Sequence, residues 1–145
     1  MDKDVRHIME SKGGQIWSVS SGTSVYDALE LMAKKGIGAL LVIDDGKITG
    51  IMSERDYARK ITLLGKSSKD TPVSEIMSTE VVYVLPSQSA DMCMALMTEK
   101  RIRHLPVMEN DKLLGIVSIG DVVKAVIDGK EDTINELTEY ITGRR

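Results

Sequence analysis

The residues of this chain best suited to chemistry stand in two short runs of one form. Residues 50–56 read GIMSERD and residues 115–121 read GIVSIGD, so a glycine, two apolar residues and a serine precede an aspartate in both. Ser53 with Asp56, and Ser118 with Asp121, have the spacing of a helix-opening capping box. In that motif the serine oxygen accepts from a backbone amide and the acid bonds back, contributing about 1 kcal/mol. The same helix start presents free amides and a positive dipole end, which is also the makeup of an anion site. Capping and ligand binding are therefore compatible roles for these residues.

Other chemistry is poorly supplied. His7 and His104 are separated by most of the chain, and Cys93 sits between Met92 and Met94 on an apolar stretch. There is no metal-ligand spacing, no nucleophile elbow and no GxxxxGK phosphate loop. The expectation is a protein that is not an enzyme, with no catalytic residues, no metal and no catalytic cofactor.

The elements that position the two runs come from a duplication. Shifting the sequence by 65 residues pairs Ser24 with Ser89, Met32 with Met97, Ile37 with Ile102, Leu40 with Leu105, Val42 with Val107, Gly50 with Gly115 and Asp56 with Asp121. Upstream, VRHIM at 5–9 resembles VSEIM at 73–77 with a spacing of 68, so the first copy carries three extra residues, assigned to KGGQ at 12–15. Two copies of such a long period make a pseudo-symmetric pair, whereas a solenoid needs more and shorter repeats.

Each copy predicts a lead-in strand (16–19; 81–85), a helix, two strands and a second helix. Ser24 with Asp27 opens the first helix, Val25, Ala28, Leu29 and Met32 form its apolar face, and Gly36 stops it. Strands 39–44 and 48–53 are joined by Asp45-Gly46, a strong hairpin signal. The second copy repeats the hairpin with HLPVME, a polar NDK connection and LLGIVS, where Pro106 predicts an edge or an amide that need not pair. The closing helices are expected over 55–64 and 120–127. The domain reading is repeat one at 1–64, a polar linker at 65–72, repeat two at 73–127 and a C-terminal helix or tail at 128–145. In that tail TINE (133–136) reads as a capping box, and Ile134, Leu137 and Ile141 form a stripe expected to pack on the same chain.

Composition narrows the partners. The chain has 145 residues, 42% of them hydrophobic, and a formal net charge of -3, which argues against a surface dedicated to nucleic acid or an acidic membrane. With no Phe and one Trp there is little with which to stack on bases. A single cysteine cannot form an internal disulfide, and no run has the length of a signal peptide core or a membrane span, so a soluble cytoplasmic protein is expected.

The tandem strand-helix-strand-strand-helix unit, the two motifs in register and the RIRHLPV segment before the second hairpin resemble a pair of CBS domains, also called a Bateman module. The resemblance runs from about Val5 to Ile127. It implies an α/β fold of two repeats packed sheet to sheet about a pseudo-twofold axis, with clefts for adenosine-containing ligands, and a regulatory role. It further implies that the motif aspartates accept from ribose hydroxyls and that the serines help hold phosphate or ribose. Those roles fall to Asp56 with Ser53 and to Asp121 with Ser118. The adenine is expected against Ile37, Gly38, Ala39 and Leu40 in one copy, and against Ile102 to Pro106, including Leu105, in the other.

The copies also diverge. Arg103 and His104 stand where the first copy has Gly38 and Ala39, offering a permanent charge and a titratable donor. Arg55, a candidate phosphate clamp, is replaced by Gly120 in the second motif. Residues 53–69 hold five basic against two acidic side chains, a local net of +3 near the supposed phosphate end. The resulting reading is a stand-alone sensor of AMP, ADP, ATP or NAD, acting as a homodimer or on an effector protein. The alternative is a nucleotide-independent dimerisation scaffold whose motifs serve only as helix caps. S-adenosylmethionine is less favoured, because basic residues suit phosphate better than a sulfonium.

Overall fold

The computed structural model describes residues 3–142, with side chains through residue 130. In chain order the elements are α1 (Val5–Lys12), β1 (Ser18–Val19), α2 (Val25–Lys35), β2 (Ala39–Asp44), β3 (Lys47–Ser53), α3 (Glu54–Tyr57), α4 (Ala90–Lys100), β4 (His104–Glu109), β5 (Lys112–Ser118) and α5 (Ile119–Thr142). A π-helical turn over Ala58–Thr62 continues α3, and a 3-10 turn spans Val73–Glu75. The fold is mixed α/β with two CBS-like repeats, as the resemblance implied.

Most local expectations hold. Ser24 caps α2 by accepting from the Asp27 amide, and Gly36 ends the helix in the left-handed conformation. Arg101 takes that same conformation after α4, although a non-glycine residue pays roughly 1 kcal/mol there. Both hairpins close through two left-handed residues, Asp45-Gly46 and Asn110-Asp111, the type I′ geometry that matches strand twist. Each hairpin carries a bulge one turn further on, between Val42/Ile43 and between Val107/Met108.

Three expectations need correction. The lead-in strands shrink to Ser18–Val19, paired parallel to β2, and to a single bridge between Val84 and Val107. The first closing helix is four α-helical residues followed by the π-helical turn. The second does not stop at 127: α5 runs unbroken from Ile119 to Thr142, so TINE lies inside a helix instead of opening one. The side chains of Ile134, Leu137 and Ile141 lie outside the described residues.

The chain forms two compact units that do not follow the sequence halves. One comprises residues 1–16 with 82–145, the other residues 17–81. In the first unit Val5 and Ile8 of α1 join Cys93, Met97, Leu105, Val107, Val117 and Val122 in one core. In the second, Val73 and Ile76 join Val25, Met32, Leu40, Val42 and Met52. Each leading segment thus packs on the other copy's helix and hairpin. The backbone repeats the exchange: the Val25 amide donates to the Thr71 carbonyl and the Ala90 amide to that of Lys3, so the leading chain supplies partners to a helix start. The polar stretch 65–72 is correspondingly ordered, with Thr71 buried and its hydroxyl donating to the Ser67 carbonyl.

Candidate functional site

Hairpin geometry assembles the site in each unit. A two-residue turn and one bulge set Ala39 opposite Ser53 and His104 opposite Ser118, so the start of one strand meets the motif at the end of the next. The first amide of each following helix then bonds back: Glu54 donates to the Gly38 carbonyl at 3.0 Å and Ile119 to that of Arg103 at 2.8 Å. Segments 37–40 and 53–56, and likewise 102–106 and 118–121, are neighbours for this reason.

Both motifs form the capping box. The Ser53 amide and hydroxyl donate to Asp56 Oδ2 at 2.9 and 3.1 Å, and the Asp56 amide donates to Ser53 Oγ at 3.3 Å. The Ser118 amide donates to Asp121 Oδ2 at 2.8 Å, and the Asp121 amide to Ser118 Oγ at 3.2 Å. The carboxylates differ in their cations. Lys60, four residues along the same helix, stands 3.6 Å from Asp56 Oδ1 and donates to the Ile76 carbonyl. Asp121 Oδ2 instead accepts from Lys12 of α1 at 2.6 Å, and the same ammonium donates to the Ile116 carbonyl at 2.9 Å.

These contacts set the charges. Burial opposes ionisation of Asp121, but the Lys12 ammonium and the Ser118 amide outweigh it and hold the carboxyl below its ordinary range. His104 is pushed down by burial first and then by Lys12 and Arg103, with Asp121 pulling the other way, so it is neutral at pH 7. A cavity of about 240 Å3 adjoins the Lys12–Asp121 pair, lined by His7, Ser11 and Lys12 of α1 and by Asp121, Lys124 and Asp128 of α5.

The structure therefore gathers Ser118, Asp121 and His104 around Lys12, with Arg103 exposed beside them. Leu40 and Leu105 are fully buried members of the two cores and Pro106 is buried in β4, so packing takes up their side chains. Ile37, Gly38 and Ile102 are half-buried. The basic run 53–69 disperses among separate partners: Lys60 on Asp56, Lys66 at 4.0 Å from Glu75 and Lys69 over the Tyr26 ring. Sequence reasoning missed Lys12 and Lys60 as partners of the motif aspartates. The i,i+4 spacing of Asp56 and Lys60 was a usable signal; for Lys12, in the extra KGGQ stretch, there was none.

The CBS domain family model matches residues 4–63 and 73–128, nearly the whole of both repeats. The chain belongs to the CBS-domain family. A solved CBS-domain protein from Burkholderia ambifaria is 56% identical to this CBS pair and covers 87% of it and 95% of its own chain, with a TM-score of 0.84. The mitochondrial CBS domain-containing protein CBSX3 of Arabidopsis thaliana is 40% identical, over 96% of this chain and 72% of its own. More distant is the CBS pair of protein MJ0100, solved in complex with 5′-methylthioadenosine and S-adenosyl-L-methionine. It is 24% identical, with a TM-score of 0.74 over 90% of this chain and 99% of its own. CBSX3 and YhcV of Bacillus subtilis, the latter 37% identical over 74% of this chain and 76% of its own, are both named as CBS domain-containing proteins. Among the described residues no helix is long and apolar enough to cross a membrane, and no group of three His, Cys, Asp or Glu side chains could hold a metal ion.

Proposed function

We propose that this CBS pair is a cytoplasmic regulatory module that binds an adenine nucleotide, AMP, ADP, ATP or NAD, and passes its occupancy on through a homodimer or an effector protein. The observation that carries this reading is the cluster at the second motif: an ionised Asp121 held by Ser118 beside neutral His104 and Lys12, at the rim of a cavity. A carboxylate suits a ribose diol and the nearby cations suit phosphate. The adenosine ligands of the MJ0100 pair agree with the ligand class. Ile119, Val123 and Ile127, exposed by 40, 38 and 50% at helical spacing on α5, support self-association. Signalling then follows from differential affinity for two arrangements of the module.

The test is a thermal-shift panel of AMP, ADP, ATP, NAD and S-adenosylmethionine on the wild type and on Asp56→Ala and Asp121→Ala. A ligand at 100 times its dissociation constant adds about 2.7 kcal/mol. A shift with a nucleotide that one aspartate variant abolishes supports the reading and names the repeat. The absence of any shift in the wild type leaves the motifs as helix caps and favours the scaffold.

A further inference from the structure

Lys12 occupies one oxygen of the motif aspartate in the second repeat. Its ammonium holds Asp121 Oδ2 at 2.6 Å and the Ile116 carbonyl at 2.9 Å, and both acceptors belong to the run GIVSIGD. We propose that Lys12 sets the ligand class of the second-repeat site, disfavouring an uncharged nucleoside and favouring a nucleotide whose phosphate takes up the displaced ammonium. This rests on Asp121 being the ribose acceptor.

A ribose hydroxyl can reach Asp121 Oδ2 only by competing with this ammonium, since that oxygen already accepts from the Ser118 amide as well. Displacing this exposed ammonium breaks an ion pair and a hydrogen bond to a carbonyl, a loss that water offsets in part and a second anion offsets better. A bare nucleoside offers no anion. A phosphate does, as a charge-assisted acceptor, and the adjoining cavity, which Lys12, Lys124 and His7 line together with the acidic Asp128, gives it room. The lysine therefore disfavours one ligand class and recruits the other.

The arrangement is particular to this repeat. Lys12 lies in the extra KGGQ stretch of the first copy, and Lys60, the cation at Asp56, has Ala125 as its counterpart. Asp56 meets Lys60 only at 3.6 Å, through Oδ1, leaving Oδ2 to Ser53. The two repeats reach a positive neighbour by unrelated residues, and the second holds it more tightly.

The experiment is calorimetric titration of adenosine and of AMP into the wild type, Lys12→Met and Lys12→Arg, each also carrying Asp56→Ala so that the second repeat alone is read. Lys12→Met is expected to bind adenosine about fivefold more tightly and to lower the AMP-to-adenosine preference about tenfold, while Lys12→Arg keeps the parental ratio. Lys12→Gln serves the same comparison if Lys12→Met loses its cooperative melt. An unchanged ratio in the neutral variants, with binding still abolished by Asp121→Ala, overturns the role of Lys12 and leaves the nucleotide reading standing. A parent that binds neither compound overturns the role of Lys12 at this site, while the nucleotide reading is decided by the wider thermal-shift panel.

Discussion

Met77 fills the space that a side chain at residue 50 would need. A Cβ added to Gly50 would stand 2.6 Å from the Met77 sulfur and 2.9 Å from the Ser78 carbonyl oxygen, while one at Gly115 would meet only the flexible end of Met9. Methionines of VRHIM and VSEIM thus press on the glycines that open the two motifs. Each motif glycine has a packing role whether or not a ligand binds. Gly50→Ala is expected to destabilise by about 1–3 kcal/mol, because the Ser78 backbone cannot easily move, and Gly115→Ala by less. Chemical denaturation of the two variants checks the order, and equal losses would refute it.

The capping boxes make a second prediction. Ser53→Ala and Ser118→Ala each remove the oxygen that accepts the aspartate amide, and each should cost about 1 kcal/mol in denaturant melts. The motif serines would then be structural and ligand-facing at once. A neutral Ser118→Ala would argue that α5, with its length, does not depend on this cap.

Asp121 makes stability depend on acid. Its folded value lies below the ordinary aspartate value of 3.8, so its contribution is present above that value and is lost as the pH falls through the depressed folded value. Asp121→Asn should flatten this part of the stability-pH curve relative to wild type. Matching acid slopes in the two proteins would count against the pairing with Lys12.

His104 reports the same cluster from the other side. Its NMR titration midpoint is expected below the ordinary 6.5, and Lys12→Met should raise it by removing a positive neighbour, whereas Asp121→Asn should lower it. Because the folded state disfavours the imidazolium, stability is expected to decline as the pH drops below 6.5, and His104→Gln should remove that decline. A midpoint indifferent to both neighbours would break the electrostatic link.

Cys93 is fully buried, and desolvation pushes its thiol up to about 11. At pH 7 about one molecule in ten thousand then carries the thiolate, so alkylation of the native protein should be slow and should follow global unfolding. Rapid labelling under native conditions would show that the α4 core opens locally.

The sequence by itself determined the duplication, the hairpins and the capped motifs, since each rests on interactions within a few residues. Asp45-Gly46 suits left-handed backbone, Ser53 and Asp56 are neighbours across one helical turn, and the period-65 match fixes what is equivalent to what. Bringing His104 to Ser118 also follows from the short turn. The merging of the second closing helix into α5 was not legible, because TINE satisfies a capping pattern that a continuous helix can simply ignore. What only the tertiary structure decided is which copy each leading segment serves. Val5 and Ile8 complete the core of the second hairpin and so deliver Lys12 to an aspartate 109 residues away, a pairing set by burial of apolar surface and not by any spacing along the chain.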